Sequence, residues 1–396
     1  MGIAKTTKNV NLLPILMMLV VTLQIASTDI YAPNFVRMAA FYQSSIVAIE
    51  WTMNFNFLGL FASCLFFGPY SDVVGRRKAL LVGFGIFTLA SIYACFAGTI
   101  YSLWLARFIQ GIGGGCAVPV ALATFRDLFD NKKYVQWVTL MGLVLSIAPA
   151  FAPTIGAHIA DLLSWRYNFF LIAALSILLF FVILIRVPET HLRTKTAAFK
   201  SIIQDYKLLL STREFMMYSL ISACTLGGLF VFIVTSPFVY LELTKFTDKE
   251  FGYLTALGVL GFVIGGLINR HLIMKYSSYK ILRAGLVIVL IGGTLLLTEA
   301  YKMPPSGWNI RIFSLFYTFG MAFVFSNAGV YAMTIFPKKT GASASMFNFL
   351  ELGGSFIFSA VASYSHDGTA WPLCFFTFLA ATFAVLCFIV SPRKAD

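Results

Sequence analysis

The chain has 396 residues, 59% of them hydrophobic and 11% charged, with a formal net charge of +13. Soluble domains carry about 25% charged residues, so this chain could not clothe a water-facing surface. Long apolar runs recur from end to end, which excludes both a large soluble protein and a secreted domain behind one signal peptide. The basic surplus does not point to nucleic acid, because its residues gather in short turns between the runs. The six cysteines, Cys64, Cys95, Cys116, Cys224, Cys374 and Cys387, form neither a CxxC pair nor an even ladder. They read as small buried hydrophobes, with no disulfide framework and no metal site.

A membrane-spanning helix needs about 20 mostly apolar residues. In chain order the runs predict spans over 11–33, 46–69, 79–98, 102–124, 135–157 and 166–186, then 214–240, 251–269, 281–299, 309–331, 341–362 and 370–391. The turn-like stretch 299–308, with Pro304, Pro305 and Gly307, separates the ninth and tenth spans. The one long hydrophilic stretch, 187–213, divides the chain into a first half (1–186) and a second half (214–396). Within it, Phe199 to Leu210 has apolar residues at Phe199, Ile202, Ile203, Leu208, Leu209 and Leu210. That pattern suits either a helix lying along the inner surface or an ordinary linker helix. Six plus six spans is what two repeats in a transporter would show. A faint echo supports it: Gly68, Asp72, Gly75 and Arg76 end the second span, and Gly265, Gly266, Asn269 and Arg270 end the eighth.

Lysine and arginine orient the spans. With the N-terminus inside, twenty-two of the 29 basic residues fall in inner segments, from Lys5 and Lys8 to Arg393 and Lys394. Six fall in outer segments (Arg37, Arg166, Lys245, Lys249, Lys302 and Arg311), and Arg107 lies within a span. Both termini are therefore expected in the cytoplasm, with the inner loops held at an anionic phospholipid leaflet.

An ionisable group in hydrocarbon must face a cavity or a partner. Asp29, near the outer end of the first span, has two readings: a proton- or cation-binding group on a transport path, or an interface carboxylate capping its helix. Arg107 falls a few residues into the fourth span, and Arg107 and Gln110 lie three apart on one face. A gating or coupling role stands beside a purely structural pairing. Glu50 lies at a similar depth in the second span, so pairing of Arg107 with one of these carboxylates would offset part of the burial cost. Glu351, in the middle of the eleventh span, either lines a cavity or satisfies Asn348 and holds helices together. His158 and Glu299 read as ordinary interface residues.

Gly68-Pro69-Tyr70-Ser71-Asp72-Val73-Val74-Gly75-Arg76-Arg77-Lys78 is the most specific string in the chain. Its basic residues alone could only fix topology, whereas Asp72 with its glycines suggests a carboxylate latch that breaks during switching. Arg126-Asp127, at the inner end of the fourth span, is a second candidate latch. Pro149 and Pro153 in the fifth span, and Pro237 in the seventh, remove helix donors and predict bends. Gly111, Gly113, Gly114 and Gly115 read as close helix packing and not as a phosphate loop, since no lysine or strand accompanies them.

These strings resemble the major facilitator superfamily, and within it the proton-coupled drug-efflux branch of bicyclomycin and chloramphenicol resistance transporters. GPYSDVVGRRK resembles the signature between helices two and three, through Gly68, Asp72, Gly75, Arg76 and Arg77, with Val73 where an arginine is usual. ARFIQGIGGG resembles the helix-four motif, and STDIYAP, with Ser27, Thr28, Asp29, Tyr31 and Pro33, the helix-one signature. APAFAPTIGAHI resembles the antiporter helix-five motif through Pro149, Pro153 and Gly156, with Ala157 replacing a common second glycine. TSPFV, with Pro237, resembles the seventh helix, and Glu50 stands where glutamine is commoner.

The resemblance implies an all-α major facilitator fold: two six-helix halves around a central cavity lined mainly by helices one, four, seven and ten. It implies proton coupling at Asp29 and Arg107, with Glu50 as an added carboxylate, and a substrate cavity including Asp29, Tyr31 and Glu351. It further implies a monomeric, non-enzymatic exporter in the bacterial inner membrane, without a cofactor and with protons as coupling ion. The expected cargo is a small amphipathic or cationic molecule. A proton symporter or uniporter for a metabolite is the alternative reading. A membrane-embedded enzyme or a scaffold is a further one, set back by four scattered histidines: His158, His191, His271 and His366.

Overall fold

A computed structural model of the chain describes residues 12–190, 199–336 and 340–391. Lys5, Lys8, Arg193, Lys195, Lys338, Lys339, Arg393 and Lys394, counted above among the inner residues, lie outside them, as does His191. Among the described residues the structure is all helical. Twelve stretches are long and apolar enough to cross a membrane, from 20 to 31 residues in length. At 1.5 Å per residue even the shortest covers the roughly 30 Å of a hydrocarbon core.

In chain order the helices are α1 (Leu12–Asp29), α2 (Phe35–Tyr42), α3 (Ile46–Val74), α4 (Arg76–Cys95), α5 (Ile100–Gly114), α6 (Ala117–Leu128), α7 (Asn131–Leu162) and α8 (Arg166–Arg186). They continue as α9 (Phe199–Ser211), α10 (Arg213–Phe238), α11 (Asp248–Leu272), α12 (Ser278–Glu299), α13 (Gly307–Ile335), α14 (Thr340–Tyr364) and α15 (Trp371–Val390). Spans one and four are each built of two helices: α1 with α2, and α5 with α6. The linker helix α9 buries Leu209 and exposes Ile203, Leu208 and Leu210.

Two compact units emerge from the packing. Unit 1 comprises residues 1–34 and 55–199; unit 2 comprises 35–54 and 200–396. Helix α3 contributes to both, and its two asparagines show how. Asn54 and Asn56 are two residues apart, about 200° around a helix. In unit 2, Asn54 donates to Ser363 Oγ at 3.0 Å and accepts from Ser359 Oγ at 2.7 Å, tying α3 to α14. In unit 1, Asn56 accepts from Thr28 Oγ1 at 3.1 Å and donates to the Arg107 carbonyl at 3.1 Å, joining α1, α3 and α5. Each such interhelical bond contributes about 0.6–2 kcal/mol in a membrane.

Helix ends are closed locally. Thr99 and Ser102 form a reciprocal capping box at α5, and Thr247 and Glu250 do so at α11. Asp130 caps α7 through Lys133 N at 2.9 Å. Elsewhere large apolar side chains such as Leu89, Leu178, Ile264 and Ile357 are exposed on the helices, a surface that suits lipid better than water.

The prolines act differently from one another. Helix α7 continues unbroken through Pro149 and Pro153. In α10, α-helical geometry ends one residue after Pro237 and passes into a π-turn, Val239–Leu243, closed by Thr244 N to Val239 O at 3.0 Å. The echo between spans two and eight remains one of sequence: Asn269 is bonded to Asn327 Nδ2 at 2.9 Å, and Arg270 is exposed.

Candidate functional site

Unit 1 concentrates its buried polarity where α1 ends. Asp29 is the last residue of α1 and is only 8% exposed. A 3-10 turn, Ala32–Asn34, follows it and carries the chain into α2. Helix α7 presses on this joint through Gly156. A Cβ there would collide with the Ile30 carbonyl oxygen, so only glycine permits the approach. Asn168 of α8 donates to the Gly156 and Ile30 carbonyls at 3.2 and 3.4 Å. The segment from Asp29 to Tyr31 is thus gripped by two other helices.

Arg107 is completely buried in α5. Its guanidinium carbon lies 4.9 Å from the centroid of the Tyr31 ring. Nη1 donates to Gln110 Oε1, and Gln110 Nε2 donates to Ser91 Oγ at 2.7 Å. Nε and Nη2 have no hydrogen-bond partner. Inserting an arginine at mid-helix costs about 2.5–3.5 kcal/mol on the insertion scale. A desolvated cation–π contact of about 2 kcal/mol and a charge-assisted hydrogen bond of about 1.5–3 kcal/mol offset it. The arginine is therefore held without a salt bridge, and its Nε–Nη2 edge remains open.

One sequence expectation, pairing of Arg107 with a carboxylate, is not met. No ion pair within 4 Å joins Arg107 to a carboxylate among the described residues; Gln110 and Tyr31 hold it instead, although Asp29 lies within its electrostatic reach. Tyr31 is fully buried, with its ring centroid 5.2 Å from that of Phe169, and serves as a platform for the guanidinium. Asn56 and Ser91 complete the network, although no sequence motif singles them out. A polar side chain in an apolar helix was the available signal.

Glu50 and Glu351 belong to unit 2. Glu50 is 0% exposed; its Oε1 lies 3.9 Å from His366 Nδ1, and Ser363 is close enough to interact with the carboxylate. It joins His366 because the first turns of α3 pack with α14, a pairing that the depth of Glu50 in its span could not reveal. The His366 ring meets Phe238 edge to face at 4.3 Å. Burial pushes the imidazole below its ordinary pKa of 6.5, and neighbouring Asp367 opposes this. Glu351 accepts from Ser222 Oγ of α10, not from Asn348, and so ties α14 to α10.

Two further acidic or basic residues move relative to expectation. Arg311, counted above among the outer loops, is 3% exposed inside α13. Glu299 is 0% exposed; it pairs with Lys302 at 2.5 Å and accepts from Ser306 N and Asn309 Nδ2, both at 3.0 Å. It therefore organises the turn from α12 to α13.

The turn between α3 and α4 gathers the latch residues around Arg76, which is 7% exposed. Nη1 reaches Asp72 at 2.5 Å and Ser71 Oγ at 2.7 Å, and Nε reaches Asp127 of α6 at 3.0 Å. Ser71 Oγ in turn donates to the Gly68 carbonyl at 2.8 Å. Gly75 has φ +99°, a conformation that L side chains rarely adopt. A Cβ on Gly75 would also collide with Glu189, whose Oε1 accepts from Arg76 N at 2.8 Å and so closes the start of α4. Glu189 is absent from the expected latch, because its string after α8 carries no spacing that announces it. Arg77 donates to the Leu184 carbonyl at 2.7 Å, and Arg126 lies 6.0 Å from the Tyr134 ring.

Twelve apolar helices, buried ionisable groups within them and an ionic knot at one interhelical turn define a polytopic membrane protein built for transport. Residues 17–359 match the Major Facilitator Superfamily, and the chain belongs to that family of transporters. It is 26% identical over 350 residues to a bicyclomycin resistance protein homolog of Haemophilus influenzae, covering 88% of this chain and 87% of that one. It is 26% identical over 356 residues to the chloramphenicol resistance protein CraA of Acinetobacter baumannii, covering 88% and 84%. The fold is similar to the partially occluded inward-open xylose transporter XylE of E. coli, with a TM-score of 0.72 at 14% identity over 97% of each chain. The protein is thus a multi-pass inner-membrane transporter of small molecules and not an enzyme.

Proposed function

We propose that the protein is a proton-coupled antiporter that exports a small amphipathic or cationic compound by opening alternately to either side of the membrane. The observation that carries this reading is Asp29, a buried carboxylate within reach of a buried arginine yet not ion-paired to it. A carboxylate neutralised by a salt bridge has little reason to take up a proton, whereas one held nearby without a partner can exchange it. Arg107 stabilises the charged form of Asp29 whenever water reaches the pair; drying the pair favours the protonated form. Entry of one proton down a 100 mV potential supplies about 2.3 kcal/mol, enough to drive export against a concentration gradient.

The drug-resistance names of the relatives support export of toxic compounds. In this reading both termini face the cytoplasm, and one chain is the working unit. The knot around Arg76 biases which side opens. In vesicles energised by a pH gradient, Asp29→Asn should abolish uphill movement of ethidium while folding is retained. Full coupled transport in that variant would remove Asp29 from the mechanism. The alternative, a symporter or uniporter for a metabolite, is distinguished by the direction of flux in the same vesicles.

A further inference from the structure

Unit 2 contains a second arginine built like Arg107. Arg311 is held by an aromatic platform, its guanidinium carbon 5.0 Å from the Phe232 centroid and 5.5 Å from that of Tyr240. Its Nη1 donates to Ser314 Oγ at 3.3 Å, three residues on, as Arg107 Nη1 donates to Gln110. In both arginines Nε and Nη2 are the atoms without a partner. Tyr31 follows the first helix of its unit's first span, and Tyr240 follows the proline-broken end of α10. The same device thus stands once in each unit, on the fourth and tenth spans.

The two differ in charge balance. Asp29 precedes Tyr31 by two residues and lies within electrostatic reach of Arg107. The residue two before Tyr240 is Phe238, and no carboxylate forms an ion pair with Arg311 among the described residues. Gly258 of α11 packs directly on Nη1, which already donates to Ser314, so no room is left there for a ligand atom. Nε and Nη2 form the side edge of the guanidinium, two parallel N–H groups whose spacing matches the two oxygens of a carboxylate. The Tyr240 hydroxyl interacts with the guanidinium, but a neutral group leaves the buried charge uncompensated, which is costly until an anion arrives.

We propose that Arg311, on its platform of Phe232 and Tyr240, is a recognition site for the carboxylate of a transported organic acid or zwitterion. The site widens the substrate class beyond cations and does not depend on proton exchange at Asp29. The test uses the purified full chain in detergent, with 2-naphthoate as probe and 2-naphthamide as its uncharged control, read by the shift in melting temperature. Naphthoate should stabilise the protein saturably, and naphthamide should not. In Arg311→Gln the half-saturating concentration should rise at least about tenfold, as expected for loss of a charge-assisted fork. Arg311→Lys keeps the charge and loses the fork, and should fall between. Phe238→Asp supplies an internal carboxylate where unit 1 has one, and should also suppress the naphthoate response. Arg107→Gln should retain it. Equal stabilisation by acid and amide, no saturable response in the wild type, or an unchanged response in both Arg311→Lys and Phe238→Asp overturns the proposal. Loss of pH-driven ethidium export in Asp29→Asn with an intact naphthoate response would leave both readings standing. Coupled export surviving in Asp29→Asn, with the naphthoate response intact, would remove only the antiport mechanism.

Discussion

Gly156 has no side chain, yet it sets the position of the most consequential carboxylate in the chain. Its α-carbon abuts the backbone carbonyl between Asp29 and Tyr31, and backbone cannot swing aside as a side chain can. Overpacking of this kind costs about 1–3 kcal/mol. Gly156→Ala should therefore lower the melting temperature by several degrees and impair transport. Unchanged stability would show that α7 and the α1 joint are not in firm contact. His366 makes a different prediction. Its partly buried ring faces Glu50 from α3, Asp367 from its own loop and Phe238 from α10. Burial lowers its pKa, so the unfolded chain binds the proton more readily. Stability contributed by the neutral ring is present above the unfolded value of 6.5 and is lost as pH falls through the lower folded value. Between pH 8 and pH 5 the wild type should lose more stability than His366→Gln, and parallel melting curves would contradict that assignment.

At the scale of elements, the turn from α3 to α4 shows how local rules combine with distant partners. Positive φ at Gly75 and the ionic reach of Arg76 are local, whereas Asp127 and Glu189 arrive from α6 and from beyond α8. The side chain of Asp72 is 60% exposed and that of Asp127 is 17% exposed. Solvent screens the first pair, which leaves it worth no more than about 1 kcal/mol. Asp127→Asn should consequently destabilise the protein more than Asp72→Asn, by thermal melting at low salt; the reverse order would refute the role of Asp127 as the principal partner. Gly75→Ala should cost about 1–3 kcal/mol, because φ +99° with ψ +154° is a conformation essentially confined to glycine. The two asparagines of α3 belong to this scale too. Their two-residue spacing is visible in the string, but only the packing of opposite faces explains why both are polar.

For the whole molecule, the basic-residue bias predicts one orientation of the twelve spans, and placing Arg311 inside α13 takes one residue from the six expected outside and strengthens that prediction. Orientation is open to a direct test at the two ends of α11, with the six native cysteines replaced. Lys245→Cys should react with an impermeant maleimide applied to intact cells, and Lys275→Cys only after permeabilisation. The opposite labelling would invert the topology.

The number and order of the spans were legible in the string, because crossing a hydrocarbon layer demands only enough consecutive apolar residues. Much of the first-half network was legible as well, since a charge in such a run must be accounted for locally. Arg311 escaped this reading because it lies close to a run's edge, where a loop residue and a buried one look alike. Which side chains meet was decided by tertiary structure alone: Arg107 over Tyr31, Arg311 over Tyr240 and Glu50 facing His366. Those partners lie tens to hundreds of residues apart, and hydrophobic periodicity carries no information about which helix faces which.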